Sequence, residues 1–367
     1  MKRVRRQHVV SRFYLNGFAS DVGRIRRVAL PGEPAHVLST GDASVIKDFY
    51  TITLPDGTQS DMFEKAFGEV EGPASAALRK LLGGTWPITG DHRAALATWI
   101  ALQHLRAEDV RASQGSMNAQ FIRLIVGTAG KQALRALIEK AESRDVPDAE
   151  LDREWADITK PGGPDLIPDV KQHIKILMDL LPGMAAYLHD CHWTLFRFTR
   201  RSMVTSDHPV SLVVGDDHPE WSGVGIATAE LFLIPLSRRI ALTIQPHDRF
   251  PSLPPGLDRV PDFQHDGTTQ IANSINQQTV LGARKYVYHH PEDSPLKRLH
   301  LPEPEHSLGP SMSDVSHLIR EEGLFSDMTD EQRKDWGRMS PHSGEGRGVS
   351  IRDLPWPIPG RRQPVNQ

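Results

Sequence analysis

Three stretches of the 367-residue chain hold polar groups in apolar surroundings. On a helical wheel with Leu96 at the origin, Trp99, Ile100 and Gln103 all fall within about 60° of it. The Gln103 amide therefore sits inside an apolar stripe, with Arg106 at its margin. A buried guanidinium must be paired, and removing its partner typically costs about 3–5 kcal/mol, so Arg106 requires a carboxylate. An earlier helix offers two, since Glu64 and Glu71 project within about 20° of each other, about 10 Å apart along the axis. They border the Phe63, Phe67, Val70 stripe. If the helices pack through Phe67 and Trp99, one glutamate meets Arg106 and the other stays near the groove floor. The arrangement reads either as an interhelical salt bridge with one solvated acid or as an acid held for proton transfer or metal binding. In the third stretch, Thr205-Ser206-Asp207-His208-Pro209 brings a hydroxyl and a carboxylate to a strand-terminal loop. Such a loop suits a catalytic acid or an Asx turn.

Other chemistries are not spelled out. Gly127-Thr128-Ala129-Gly130-Lys131 has Gln132 where a phosphate-binding loop needs Ser or Thr, and reads as a helix boundary. Gly223-Val224-Gly225 lacks the third glycine of a dinucleotide fingerprint. Ser206, Asp207 and His208 are consecutive, so on extended backbone they cannot form a triad by themselves. Cys191, the sole cysteine, supplies neither an internal disulfide nor a four-thiolate zinc site.

The elements that must position these residues follow from periodicity. A helix is expected over Asp61–Leu82, opened by an Asp61/Glu64 capping box and broken or kinked after Glu71 by Gly72-Pro73. Further helices are expected over Thr89–Arg111, Ala119–Val126, Lys131–Glu142 and Asp169–Leu181. The last carries Met178 in its buried stripe and stops at Pro182-Gly183. At His192 the period changes to two. Trp193–Phe198 and Ser202–Thr205 read as a hairpin, and Ser211–Val214, Leu231–Leu236, Ile240–Ile244 and Lys285–Tyr288 as strands, with a helix over Thr268–Leu281. The order implies an α+β fold: a helix-rich half (58–190) packed with a mostly antiparallel sheet from a strand-rich half (191–290), forming one compact domain over 1–290. Ten of the 28 prolines fall after His290, beside Gly344–Gly348. Residues 291–367 therefore read as a loosely ordered tail, with short helices around Val315–Arg320 and Thr329–Trp336 and room for a protein partner.

Composition is ordinary for a globular protein, 38% hydrophobic and 24% charged, and a net charge of -3 gives no global field toward DNA or an anionic membrane. The arm is different, with eight Lys or Arg between Met1 and Arg27 (Lys2, Arg3, Arg5, Arg6, Arg12, Arg24, Arg26, Arg27) against Asp21. It suits a nucleic-acid or other phosphate partner, or is simply a solvated terminus. No apolar run of about 18 residues occurs, and His8, Ser11 and Arg12 interrupt the segment that a signal peptide would need, so a soluble cytoplasmic protein with no membrane contact is expected.

The opening Gln7-His8-Val9-Val10-Ser11-Arg12-Phe13-Tyr14-Leu15-Asn16-Gly17-Phe18 resembles the His-x-Val-Pro-x-x-Tyr-Leu-x-x-Phe start of a large, mostly bacterial family known as a domain of unknown function. Phe49-Tyr50, the paired Glu64 and Glu71, Gln103 with Arg106, Thr205–Pro209 and Pro235-Leu236-Ser237 follow in the order that this family shows, over roughly residues 5 to 290. Ser11 departs from the family's proline. The resemblance implies no established activity, but it singles out His8 and Tyr14 beside the residues that packing found awkward.

Carboxylates with an imidazole and a guanidinium suit metal-assisted or general acid–base attack on a phosphoryl or acyl centre. The expectation is a hydrolase of a phosphate-containing or nucleic-acid substrate, with His8, Glu64, Glu71 and Asp207 catalytic. Gln103, Arg106, Ser206 and Tyr14 would bind substrate, and Glu64, Glu71 and Asp207 would hold a divalent metal ion. The alternative is a regulatory or interaction protein in which the same cluster is a buried structural network.

Overall fold

The structure, a computed structural model, describes residues 4–54, 56–167, 169–215, 218–219, 224–247, 260–304, 316–324, 326 and 350–362. The chain forms two compact units, one of residues 1–111, 170–219 and 224–308, the other of 112–169, 220–223 and 309–367. The expected single body over 1–290 is thus divided: residues 112–169 leave it and gather with the C-terminal segment. Among the described residues no helix is long and apolar enough to cross a membrane.

The fold is α+β. The arm holds β1 (Arg6–His8), α1 (Arg12–Leu15), β2 (Arg24–Ala29), β3 (Ala35–Ser39), α2 (Thr40–Ala43) and β4 (Val45–Lys47). A small ribbon, β5 (Ile52–Thr53) with β6 (Gln59–Ser60), leads into the helices α3 (Met62–Leu82), α4 (Gly90–Leu105), α5 (Glu108–Ala129), α6 (Lys131–Glu142), α7 (Asp148–Thr159) and α8 (Val170–Asp190). The remainder is β7 (His192–Arg197), β8 (Thr205–Ser206), β9 (Ser211–Val213), β10 (Leu231–Ser237), β11 (Ile240–Gln245), β12 (Phe263–Asp266), α9 (Thr269–Leu281) and β13 (Tyr286–His289).

In the first unit one sheet runs β12-β7-β11-β10-β9 and a second β3-β2-β13-β8, so the arm's β2 is joined to the far end of the chain. A single core collects Phe18, Tyr50, Phe67, Trp99, Leu177, Trp193 and Phe232. The expected hairpin does not form: β7 pairs with β11 and β12, whereas β8 pairs with β13. The intervening backbone is taken by other partners. The Met203 amide donates to the Arg238 carbonyl, and the Asn276 side chain accepts from the Val204 amide and donates to the Ser202 carbonyl. Long-range pairing of this kind leaves no local signature.

Both prolines expected to break helices lie inside them, Pro73 in α3 and Pro182 in α8. Each, with its neighbouring glycine, is solvent-exposed, so the carbonyl deprived of its amide faces water instead of core. Asp61 precedes α3 without closing a capping box; its carboxylate accepts from the Val4 amide and pairs with Lys65. Met178 is half exposed, outside the stripe assigned to it. The expected helix over Thr89–Arg111 ends at Leu105, with Arg106 as its C-cap. A second buried cation, Arg93, pairs with Asp262 and donates to the His189 and Cys191 carbonyls, while Asp262 also accepts from the Trp193 amide.

The second unit packs Val126, Leu134, Ile138, Leu151, Trp155 and Ile158 with Ile358 from the C-terminal segment. The described parts of that segment are not loose. Arg361 pairs with Glu154 and Asp157, and the Arg320 amide donates to the Gly127 carbonyl. Gly127 lies within α5, where a Cβ would stand 2.2 Å from Ile319 Cδ1, so its glycine serves close packing. Proline-rich composition concealed the apolar anchors Ile319, Ile351, Leu354, Trp356 and Ile358. Ser316–Leu318 is a short 3-10 turn. The helix expected over Thr329–Trp336 and the glycines 344–348 lie outside the described residues.

Burial makes the first unit sensitive to acid. His173 on α8 is buried, and this, followed by the nearby Arg111 charge, lowers its pKa from 6.5 to about 4. Burial likewise lowers His8, His192 and His289. The unfolded chain takes up these protons first, so stability present above pH 6.5 is lost as pH falls toward the folded values. His173 alone contributes a loss of about 2 kcal/mol by pH 5. Urea unfolding followed by tryptophan fluorescence should show a lower midpoint at pH 5 than at pH 7; an equal or higher midpoint contradicts this assignment.

Candidate functional site

The arm is threaded onto α3 and α4 through its polar groups. β1 pairs with β4 (His8 opposite Val45), and Gln7, turned inward by strand alternation, is fully buried. Its carbonyl oxygen accepts from the Tyr50 amide at 2.6 Å and its amide donates to Val4 O and Thr51 Oγ1. Gln103, also fully buried, donates to the Val9 carbonyl at 2.9 Å and accepts from the Ser11 amide at 3.2 Å. The amide in the middle of the α4 stripe is therefore the receptor for two backbone groups of the arm.

Ser11 Oγ is the hub. It accepts from Trp99 Nε1 at 2.9 Å and from an Arg106 terminal nitrogen at 2.6 Å, and donates to Glu71 Oε1 at 2.7 Å. Arg106, only 1% exposed, also donates to Glu71 Oε1 at 3.0 Å and Gln103 Oε1 at 2.8 Å, while its backbone carbonyl accepts from the Tyr50 hydroxyl. Glu71 is thus the carboxylate that meets the guanidinium. Trp99, Tyr14 and Phe13 pack their rings about this knot, and Tyr50 stands edge-on to Phe67. Ser11, Gln7 and Tyr50 were not singled out by sequence reasoning. Ser11 stood out solely as a departure from proline, which could supply neither this hydroxyl nor this amide.

Beside the knot lie His8 and Glu64, both half-buried. The His8 amide reaches Glu64 Oε1 at 3.5 Å. The ring is hydrogen-bonded to the Gly41 backbone, while Nε2 is buried without a partner. That leaves Nδ1–H for the carbonyl and the lone pair on Nε2. Glu64 Oε2 is likewise buried and unpartnered. Burial shifts the two groups in opposite directions. It lowers the imidazole, aided by Arg106 and Arg12 and opposed by Gly41 and Glu71. It raises the carboxyl, with Arg106 and the His8 amide opposing and Glu71 and Asp61 assisting. Two groups about 2 units apart in water are drawn together, the condition under which a proton passes between them at small cost.

The remaining expected site residues are placed elsewhere. The Asp207 carboxylate accepts from the Arg284, Lys285 and Tyr286 amides at 2.9, 2.8 and 3.0 Å, fastening β8 to β13 instead of forming an Asx turn. Burial raises its pKa against those three bonds. Ser206 is buried, its hydroxyl donating to the His208 carbonyl and accepting from the His208 amide. Tyr14 is fully buried, its hydroxyl shared between Thr205 Oγ1 and the Pro235 carbonyl. Substrate contacts by Ser206 and Tyr14 are therefore replaced by structural ones, and Gln103 and Arg106 are likewise committed to the arm.

The expected metal set is not assembled. Glu71 is bound by Arg106 and Ser11, Asp207 by three amides, and among the described residues no group of three His, Cys, Asp or Glu side chains is placed to hold a metal ion. The arm's charge is partly balanced: Arg5 faces Asp48 and Arg6 faces Asp42, while Lys2 and Arg3 lie outside the described residues.

Residues 6–293 match the family described as "Protein of unknown function (DUF4238)", and the chain belongs to that family. No curated protein and no solved structure matches the chain.

Replacing the hub tests the geometry. Ser11→Ala leaves Trp99 Nε1, one Arg106 N–H and a Glu71 oxygen short of a partner in a dry site, and should cost about 2–3 kcal/mol in denaturant unfolding. A loss below about 0.5 kcal/mol would mean that these bonds do not hold the arm.

Proposed function

We propose that the protein is a hydrolase working by general acid–base catalysis at His8 and Glu64, on a phosphate-containing substrate, with nucleic acid one member of that class. The observation that carries this reading is the pair of buried, unpartnered atoms, His8 Nε2 and Glu64 Oε2, on adjoining residues of one polar cluster. Buried polar atoms ordinarily find partners, so two orphans in one place are best explained by a substrate that completes them. Exposed Arg12, whose charge acts on the His8 ring, favours an anionic substrate. Action in the cytoplasm belongs to the same proposal.

In the reaction, His8 Nε2 takes a proton from water as its oxygen attacks phosphorus, and the protonated Glu64 carboxyl gives its proton to the departing oxygen. The imidazolium then returns a proton to Glu64, and one water has been added across the ester bond. Glu71, Arg106, Gln103 and Ser11 act as positioning residues. A second reading, a regulatory or interaction protein in which the cluster merely fixes the arm, is favoured by the commitment of Gln103 and Arg106 to neighbouring groups.

Turnover of p-nitrophenyl phosphate and bis(p-nitrophenyl) phosphate separates the two. The hydrolase reading expects measurable release of nitrophenol, lowered about 100-fold or more by His8→Asn and by Glu64→Gln with melting temperature preserved. Absence of turnover, or variants working at the wild-type rate, rejects it in favour of the second reading.

A further inference from the structure

On the first unit, a cavity of about 200 Å³ opens between the arm and the β8–β13 junction. By volume it holds about six waters or one compact organic molecule. One wall is apolar, formed by Val9, Val10, Val45 and Ile46; the opposite wall carries Arg27, Arg284, Lys285 and His208. Arg27 lies 4.6 Å from the centroid of the Tyr286 ring, and His208 stacks on His104 at 5.3 Å. The cationic wall is preorganised, because the Asp207 carboxylate gathers the amides of Arg284, Lys285 and Tyr286. Three cations therefore face two carboxylates, Asp207 and Glu108, of which Glu108 pairs with Lys285 at 2.8 Å. His8, Glu64 and Glu71 do not line this recess.

We propose that this cavity is a binding site for a small molecule with one oxyanion, phosphate or carboxylate, on a compact apolar body. The oxyanion sits among Arg27, Arg284 and Lys285, where guanidinium and ammonium donors meet it with charge-assisted bonds. The apolar body lies on the valine and isoleucine wall against Tyr286. An uncharged ligand would leave the excess positive charge unanswered, and a bare inorganic ion would leave the apolar wall uncovered. The assignment is independent of the acid–base reading at His8 and Glu64.

Isothermal titration of the full chain with phenyl phosphate, benzoate and inorganic phosphate tests it. Saturable one-to-one binding of phenyl phosphate or benzoate is expected, and whichever is tighter identifies the oxyanion. Lys285→Met should weaken that binding about 10-fold, and Glu108→Gln, which releases Lys285 from its ion pair, should tighten it about 3-fold. A gain of affinity is not a result that misfolding produces. The proposal is overturned if neither organic anion binds saturably, if inorganic phosphate binds as tightly as phenyl phosphate, or if both variants bind as the wild type does.

Discussion

A guanidinium that is 1% exposed sets the terms for the active half of this protein. Arg106 caps α4 at a point where the apolar stripe is still buried, so its charge cannot reach water and every donor has to be met from inside. The chain meets that demand with groups far apart in sequence: Glu71 from α3, Gln103 from α4 and Ser11 from the arm. Because those acceptors serve the arm as well, satisfying Arg106 and docking residues 7–11 are one event. Taking away any partner strands the others, which is why the knot acts as a single structural unit.

His8 inherits its position from that event. Three residues before Ser11 and opposite Val45 on β4, it has no freedom to leave once the arm is seated. The desolvation that makes Arg106 demanding also makes His8 a weaker base than in water and Glu64 a weaker acid, so the two meet near a common proton affinity. Stability and chemistry are thus separated by a few ångströms. Glu71 is absorbed by the knot, whereas Glu64, seven residues earlier on the same helix, keeps one oxygen without a protein partner.

Much of this was legible in the residues, in unequal measure. Periodicity located Gln103 and Arg106 because a helix wheel reveals a polar group inside an apolar stripe, and the spacing of Glu64 and Glu71 put both on one side of α3. The α+β class followed from the change of period at His192. His8 was marked by resemblance alone, since nothing in a strand of three residues distinguishes a ring that is needed from one that is incidental. Asp207 was misjudged for a physical reason: sequence gives the carboxylate but not the three amides that claim it, and those come from residues 284–286. Ser11 was overlooked because a small hydroxyl becomes a hub through its surroundings. Pro73 and Pro182 were read as breaks because composition does not say which side of a helix faces water, and the C-terminal segment was read as loose because its prolines outweighed its few anchors.

The account stands on the arm being held by neutral and charged bonds from α4, with His8 dried as a consequence. The direct measurement is the His8 imidazole titration by nuclear magnetic resonance in the wild type and in Gln103→Leu, a change that cuts the arm's backbone bonds without altering charge. The account predicts titration below 6.5 in the wild type and a return toward 6.5 in the variant. A wild-type value at or above 6.5, or the same depressed value in both proteins, would contradict it.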